Sequence, residues 1–268
     1  MTSVFPQAVE RFRREYGAHR AAEGRDYWGE ELLSLPYLRT GSLARQWTVR
    51  ARTFDAFLEH VVRPMGRAAG RPLQILDLGA GNGWLSYRLS IEGHGCTAVD
   101  IRDDAIDGLG AAAGFLDLTS FERLVASFEG LPLCPDSADL AVFNASLHYS
   151  TDLEATIAEA VRVVRPGGRM VILDSPFYAR SEDGDAMVTE KHAAAHIQFG
   201  ARADDLLALP FIEFLTRERL EAVSAAQGLI WHRRRVSYPI WYELRPLVAF
   251  LRRRRAPSRF DLWTATVP

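Results

Sequence analysis

The stretch Asp77-Leu78-Gly79-Ala80-Gly81-Asn82-Gly83 constrains this chain more than any other. It follows the short apolar run 73–78. A helix-forming segment, Trp84 to Glu92, comes next, then Gly93, then a second apolar run, Cys96-Thr97-Ala98-Val99-Asp100. Strand, turn, helix, strand is the βαβ unit of a parallel sheet. A βα turn that brings bare backbone against a ligand needs glycine, because a Cβ would collide. The helix behind it presents N–H groups and the positive end of its dipole. Open α/β sheets bind at the carboxyl ends of their strands. Gly79, Gly81 and Gly83 therefore predict a ligand with an anionic end.

The spacing narrows the ligand. A dinucleotide fold asks for G-x-G-x-x-G. Counted from Gly79 or from Gly81, the third position falls on Trp84 or Ser86, so NAD and FAD are disfavoured. No Gly-Lys-Ser/Thr follows, which excludes a P-loop. Asp77 ends the first strand and is expected to face the pocket, where an acid suits an ammonium group beside a carboxylate. Asp100 ends the second strand, where a carboxylate accepts from both ribose hydroxyls, with Ile101 beside it. An amino acid joined to a ribose describes S-adenosylmethionine.

Further candidate strands are 124–127, 140–143 and 169–173. A helix is expected over 153–164, ended by Pro166-Gly167-Gly168. Residues 1–70 read as a helical N-terminal cap, with apolar spacing of three and four in 8–16 and 51–62. The core is expected over 71–268. Within it 176–215 is too long for an ordinary connection and reads as a covering insertion. Thr216 is a good N-cap for a helix reaching Gln227. Two strands are expected near 229–238 and 259–266, with an amphipathic helix, 241–255, between them. The class is α/β, a doubly wound, Rossmann-like sheet.

Four passages in order then resemble class I S-adenosylmethionine-dependent methyltransferases of the type 11, quinone-biosynthesis-like subgroup. Ile75–Gly83 resembles their motif I, and Ala98-Val99-Asp100 their acidic ribose motif. Leu131–Val142 is similar to their Leu-Pro-Phe…Asp passage, and Val163–Ile172 to the passage around Pro-Gly-Gly before the fifth strand. The resemblance covers roughly 72–175. It implies a seven-stranded sheet with an antiparallel last strand, and S-adenosyl-L-methionine as cofactor. Asp77, Gly79, Ala80, Gly81, Asn82, Gly83, Asp100 and Ile101 become its expected contacts. The subgroup usually carries Gly-Asp-Ala before its Leu-Pro, where the acid meets the adenine. Here Ala126-Ser127-Phe128 stands instead, so Ser127 is expected to accept a hydrogen bond and Phe128 to pack on the base.

Methyl transfer asks chiefly for alignment, and a base only where the acceptor must lose a proton early. Asn144 is expected at the methionine end. His148 and Tyr149, just past the fourth strand, are the candidates for acceptor chemistry. Asp174, Ser175, Pro176 and Tyr178, with Tyr27, Trp28, Tyr37 and Trp47, are candidates for pocket lining. His192 and His196 share a helix face but lack a third ligand, so no metal is expected. A small-molecule acceptor is favoured, because no Asn/Asp-Pro-Pro-aromatic passage follows the fourth strand. A cofactor-binding protein without turnover, or a methyltransferase of RNA or a carrier-bound substrate, is the alternative. The formal net charge of −2 makes nucleic acid an unlikely partner. No segment is apolar enough to span a membrane, no signal peptide is expected, and two unpaired cysteines suit a cytoplasmic chain.

Overall fold

The computed structural model describes residues 4–25 and 27–268. The charged stretch read from Met1 therefore begins outside the described residues. Four helices come first: α1 (Val4–Ala22), α2 (Gly29–Ser34), α3 (Ala44–Phe57) and α4 (Arg63–Ala69). A π turn, Leu58–Val62, joins α3 to α4. Its cause is Pro64, which has no N–H to give one turn back and whose ring crowds the carbonyl there.

The alternating part follows: β1 (Gln74–Leu78), α5 (Trp84–Ile91), β2 (Gly95–Asp100), β3 (Glu122–Val125), β4 (Ala138–Asn144), α6 (Leu153–Val163) and β5 (Val164–Leu173). Then come α7 (Ser181–Phe199), α8 (Ala203–Leu206), α9 (Arg217–Ser224), β6 (His232–Arg234), α10 (Ile240–Glu243), α11 (Arg245–Leu251) and β7 (Leu262–Thr266). The seven strands form one sheet in the order β3-β2-β1-β4-β5-β7-β6. β7 is antiparallel to both neighbours and the other pairs are parallel, so the expected sheet is present.

Central strands with helices on both faces must be apolar on both faces. β4 is buried at all seven positions. Its alternate residues feed two cores. Leu140 and Val142 join Ile75, Ala98, Phe54 and Trp84 on one face. Ala141 and Phe143 join Leu76, Val99, Ile157 and Leu220 on the other. The chain order reverses between β1 and β4, and that places a crevice at their carboxyl ends.

Several expected boundaries move. The third strand lies at 122–125, not 124–127. Ala126 N–H still reaches the Asp100 carbonyl at 3.0 Å, but Ser127 Oγ then accepts from Glu129 N–H and turns the chain out of the sheet. Pro166-Gly167-Gly168 does not lie in a turn outside the sheet. α6 already ends at Val163, and these residues form an irregularity inside β5, where the register to β4 shifts between Ala138 and Leu140. The helix expected over 241–255 breaks at Leu244, just before Pro246, and stops at Leu251. β6 is only three residues long because it is an edge strand with one partner. Thr216 caps α9, its Oγ1 accepting from Arg219 N–H at 3.1 Å.

Candidate functional site

The crevice holds a cavity of about 370 Å³, within the ~300–1,000 Å³ usual for small-molecule sites. Its floor is the glycine turn. Gly79 and Ala80 N–H both donate to the Val99 carbonyl, at 2.8 and 2.9 Å, and this ties the turn to β2. Gly79 has φ +76°, and a Cβ there would lie 2.3 Å from that of Ser146. Gly81 has φ +54° and lies under the Asp107 carbonyl. Gly79 demands glycine on two counts, handedness and space; Gly81 demands it for handedness, with a Cβ there only 3.3 Å from that carbonyl.

Asp100 stands beside the turn. Its Oδ2 accepts from Gly81 N–H at 2.8 Å and its Oδ1 from Arg102 N–H at 2.9 Å. Each oxygen keeps a lone pair. Burial raises its pKa despite the two amides. Asn82 closes the turn: its Oδ1 accepts from Trp84 N–H at 3.2 Å, and its Nδ2 donates to Asp107 at 3.3 Å. Asp107 in turn accepts from Arg20 of α1.

The walls come from three directions. Ile101, Ser127, Phe128 and Glu129 form the side after β2 and β3; Asn144, Ser146 and Tyr149 follow β4; Tyr16, Trp47, Arg50 and Phe211 close the top. Tyr16 donates to the Tyr149 hydroxyl at 2.8 Å, and burial keeps Tyr16 protonated. Arg50 is the unusual member. It makes no ion pair or hydrogen bond among the described residues; its guanidinium sits 5.0 Å from the centre of the Trp47 ring. Burial, reinforced by Arg25, pulls its pKa down to about 10. Arg50 is half-buried and faces the cavity without a paired carboxylate, an arrangement that suits an anion.

Comparison with known proteins shows what the chain resembles. The pattern of the type 11 family, described as a methyltransferase domain, matches residues 76–172. Over 159 residues the chain is 35% identical to a malonyl-[acyl-carrier protein] O-methyltransferase of Methylococcus capsulatus, spanning 59% of this chain and 52% of that one. Over 137 residues it is 32% identical to the protein of that name from Hahella chejuensis, spanning 48% of each. The chain thus spans about half the length of the curated relatives it matches. Geranyl diphosphate C-methyltransferase from Streptomyces coelicolor shares the fold, with TM-score 0.63, 14% identity and 97% of this chain covered. The 1,6-didemethyltoxoflavin-N1-methyltransferase of Burkholderia thailandensis does so at TM-score 0.55, with 17% identity, covering the whole of this chain and 91% of that one. Class I methyltransferases of this kind use S-adenosylmethionine.

The cavity gathers most of the expected residues in one place. Gly79, Ala80, Gly81, Asn82, Asp100, Ile101, Ser127, Phe128, Asn144 and Tyr149 all line the cavity. Gly83 does not; it is the N-cap of α5, with φ +78°. Asp77 does not face the cavity as expected. It is buried behind the turn, its Oδ2 accepting from Ser86 Oγ at 3.0 Å, and burial pushes its pKa up to about 7. His148 stands one ring behind Tyr149, 4.3 Å between centroids, outside the lining. Burial holds His148 down at about 3, so it is neutral at pH 7.

Of the other candidates, Tyr27 and Trp47 line the cavity, joined by a 2.6 Å hydrogen bond. Trp28 is exposed, and Tyr37 lines a separate cavity with Asp55 and Arg88. Asp174, Ser175, Pro176 and Tyr178 stay out of the lining. Asp174 is tied instead to Thr53 Oγ1 at 2.7 Å. From 176–215 only Leu209 and Phe211 contribute.

Arg50, Tyr16, Arg20, Asp107 and Glu129 escaped the sequence reading. Arg50 alone left a signal: it lies three residues after Trp47, so one helix face carries both. Glu129 supplies an acid in the wall, two residues beyond Ser127, but its carboxylate is spent on Thr151 and Asp152, with Thr151 N–H at 2.6 Å.

The residues present fit S-adenosylmethionine. The glycine turn leaves a cradle that side chains would fill. Asp77 Oδ1 and Asn144 Oδ1 are buried with no hydrogen-bond partner among the described residues. Asp100 has lone pairs left for hydroxyls, and Arg50 an unanswered charge.

Proposed function

We propose that this chain transfers a methyl group from S-adenosyl-L-methionine to a small-molecule acceptor. The observation that carries the reading is the cradle itself: glycines at 79 and 81, Asp100 and the unpaired Arg50 around one cavity. When bound, the cofactor supplies a methyl already activated on a sulfonium.

The protein's own work is placement. Asp100 receives the ribose hydroxyls, and Ile101 and Phe128 pack on the adenine, with Ser127 at its edge. Most of the turn's amides are engaged internally: Gly79 and Ala80 with Val99, Gly81 with Asp100. The counter-charge for the carboxylate is therefore Arg50 rather than the turn. Asp77 serves the ammonium group from behind the turn, and Asn144 the same end from β4. Gly83 and Asn82 hold the start of α5 in place.

Tyr149, with Tyr16 at its hydroxyl, meets the acceptor, and His148 positions Tyr149 and remains a neutral base one ring away. We assign residues 1–70 to a cap over the site and 176–215 to a cover that reaches it through Leu209 and Phe211. A carrier-bound acid is the second reading, favoured by the names of the two curated relatives. With no described helix long and apolar enough to cross a membrane and both cysteines free, we place the reaction in the cytoplasm.

The test is transfer of labelled methyl from S-adenosylmethionine across a panel of free acids, phenols and amines, set beside malonyl-loaded carrier protein. Turnover of a free compound, lost in Tyr149→Phe, supports the reading. Turnover only on the loaded carrier would replace it with the second. Binding without turnover on any acceptor would make the chain a cofactor-binding protein.

A further inference from the structure

The chain 240–251 carries a face that the catalytic reading leaves unused. α10 and α11 are anchored on one side only. Tyr242 is buried there, and the Arg245 guanidinium lies 3.6 Å from the centre of its ring and donates to the Ser258 carbonyl. The opposite side repeats at helical spacing: Ile240, Leu244, Leu247 and Leu251, with Phe250 beside them. Ile240 is 77% exposed, Phe250 78% and Leu251 70%. Of the 15 large apolar residues exposed on the described surface, seven fall within these 12 residues. Such a patch on a soluble surface marks an interaction site.

Its charge says what it meets. Arg252, Arg253 and Arg254 follow directly, all exposed. None forms an ion pair among the described residues, whereas Arg255 is held by Glu190 and Arg259 by Glu243. At the other end of the stripe Arg45 lies over the Trp241 ring. Cations therefore stand at both ends of an apolar face, in a chain whose formal net charge is −2. A second copy of the chain fits poorly, because pairing in either sense sets cation against cation. An anionic lipid surface fits both features. Apolar side chains enter the acyl boundary, guanidiniums meet phosphates, and Trp241 suits the headgroup level. A helical stretch of this length, roughly 18 Å at 1.5 Å per residue, is too short to cross a bilayer and is suited to lie in its surface.

We propose that α10 and α11, with Arg252–Arg254, form a docking face for an anionic membrane surface. The test is co-sedimentation with vesicles of phosphatidylcholine alone and of phosphatidylcholine with one-third phosphatidylglycerol. The wild type is expected to sediment with the anionic vesicles, to partition at least about tenfold less onto the neutral ones, and to be released by salt. Leu247→Asn with Leu251→Asn, and separately Arg252→Gln with Arg254→Gln, should each lower the partition about tenfold or more. Binding of S-adenosylhomocysteine should stay unchanged, since none of these residues lines the cavity. Four results would overturn the proposal: no sedimentation with either vesicle; equal sedimentation with both; a dimer by light scattering that Leu247→Asn dissociates; or binding to a purified acyl carrier protein, lost in the same variants, without vesicle binding.

Discussion

Single side chains decide the electrostatics of this site, and Asp77 shows how. Burial lifts its pKa from 3.8 to about 7. The folded state then holds more protons than the unfolded one between those values, so stability falls as pH rises through that window. Asp77→Asn should remove the slope and stabilise the ligand-free protein by on the order of 4 kcal/mol above pH 7. An ammonium group brought near should ionise Asp77. Binding of S-adenosylhomocysteine near pH 7 should therefore release a fraction of a proton, read by calorimetry in buffers of different ionisation enthalpy. Asp77→Asn should bind more weakly and release none; equal release from both proteins would contradict the role given to Asp77. At this scale the turn and Asp100 were legible, because φ above zero and close backbone approach leave glycine few substitutes. Asp77 was legible as an acid but not in its direction, since a strand end does not say which way its last side chain turns. Arg50 and Tyr16 reach the cavity from helices distant in sequence, and local pattern cannot show that.

Elements contribute through how firmly they close the site. α1 covers the cavity with a small core of its own, Ala8, Phe12 and Leu209, in which Phe12 meets Phe211 edge-on at 5.0 Å between centroids. Tyr16 and Arg20 are held in the wall by this packing. Phe12→Ala removes a buried ring at a cost of about 3 kcal/mol, and the cost should fall on α1 and not on the sheet. Amide exchange in α1 and around 203–211 should speed up about a hundredfold while β4 and β5 stay protected. Uniform acceleration throughout would show that α1 is not a separable cover. The helical spacing of 8–16 announced this helix, and the spacing of 51–62 announced α3. The π turn between α3 and α4 was not announced, although Pro64 is its cause. The break between α10 and α11 likewise traces to Pro246, against an apolar pattern that runs on past it.

For the whole molecule, the sheet order puts the glycine turn, Asp100 and Asn144 at one crevice, and the helices before and after the sheet roof it. The doubly wound class was legible once βαβ units were recognised, whereas the strand order comes from the structure. The antiparallel β7 came from family resemblance and not from periodicity. The central claim is that this crevice holds S-adenosylmethionine by the turn and Asp100. Calorimetric titration with S-adenosylhomocysteine tests it most directly, on the wild type, Asp100→Ala and Gly81→Val, each first shown to be folded. The account predicts one site per wild-type chain, at least about tenfold weaker binding in Asp100→Ala, equivalent to about 1.4 kcal/mol, and no measurable heat from folded Gly81→Val. Unchanged affinity in both variants would contradict it.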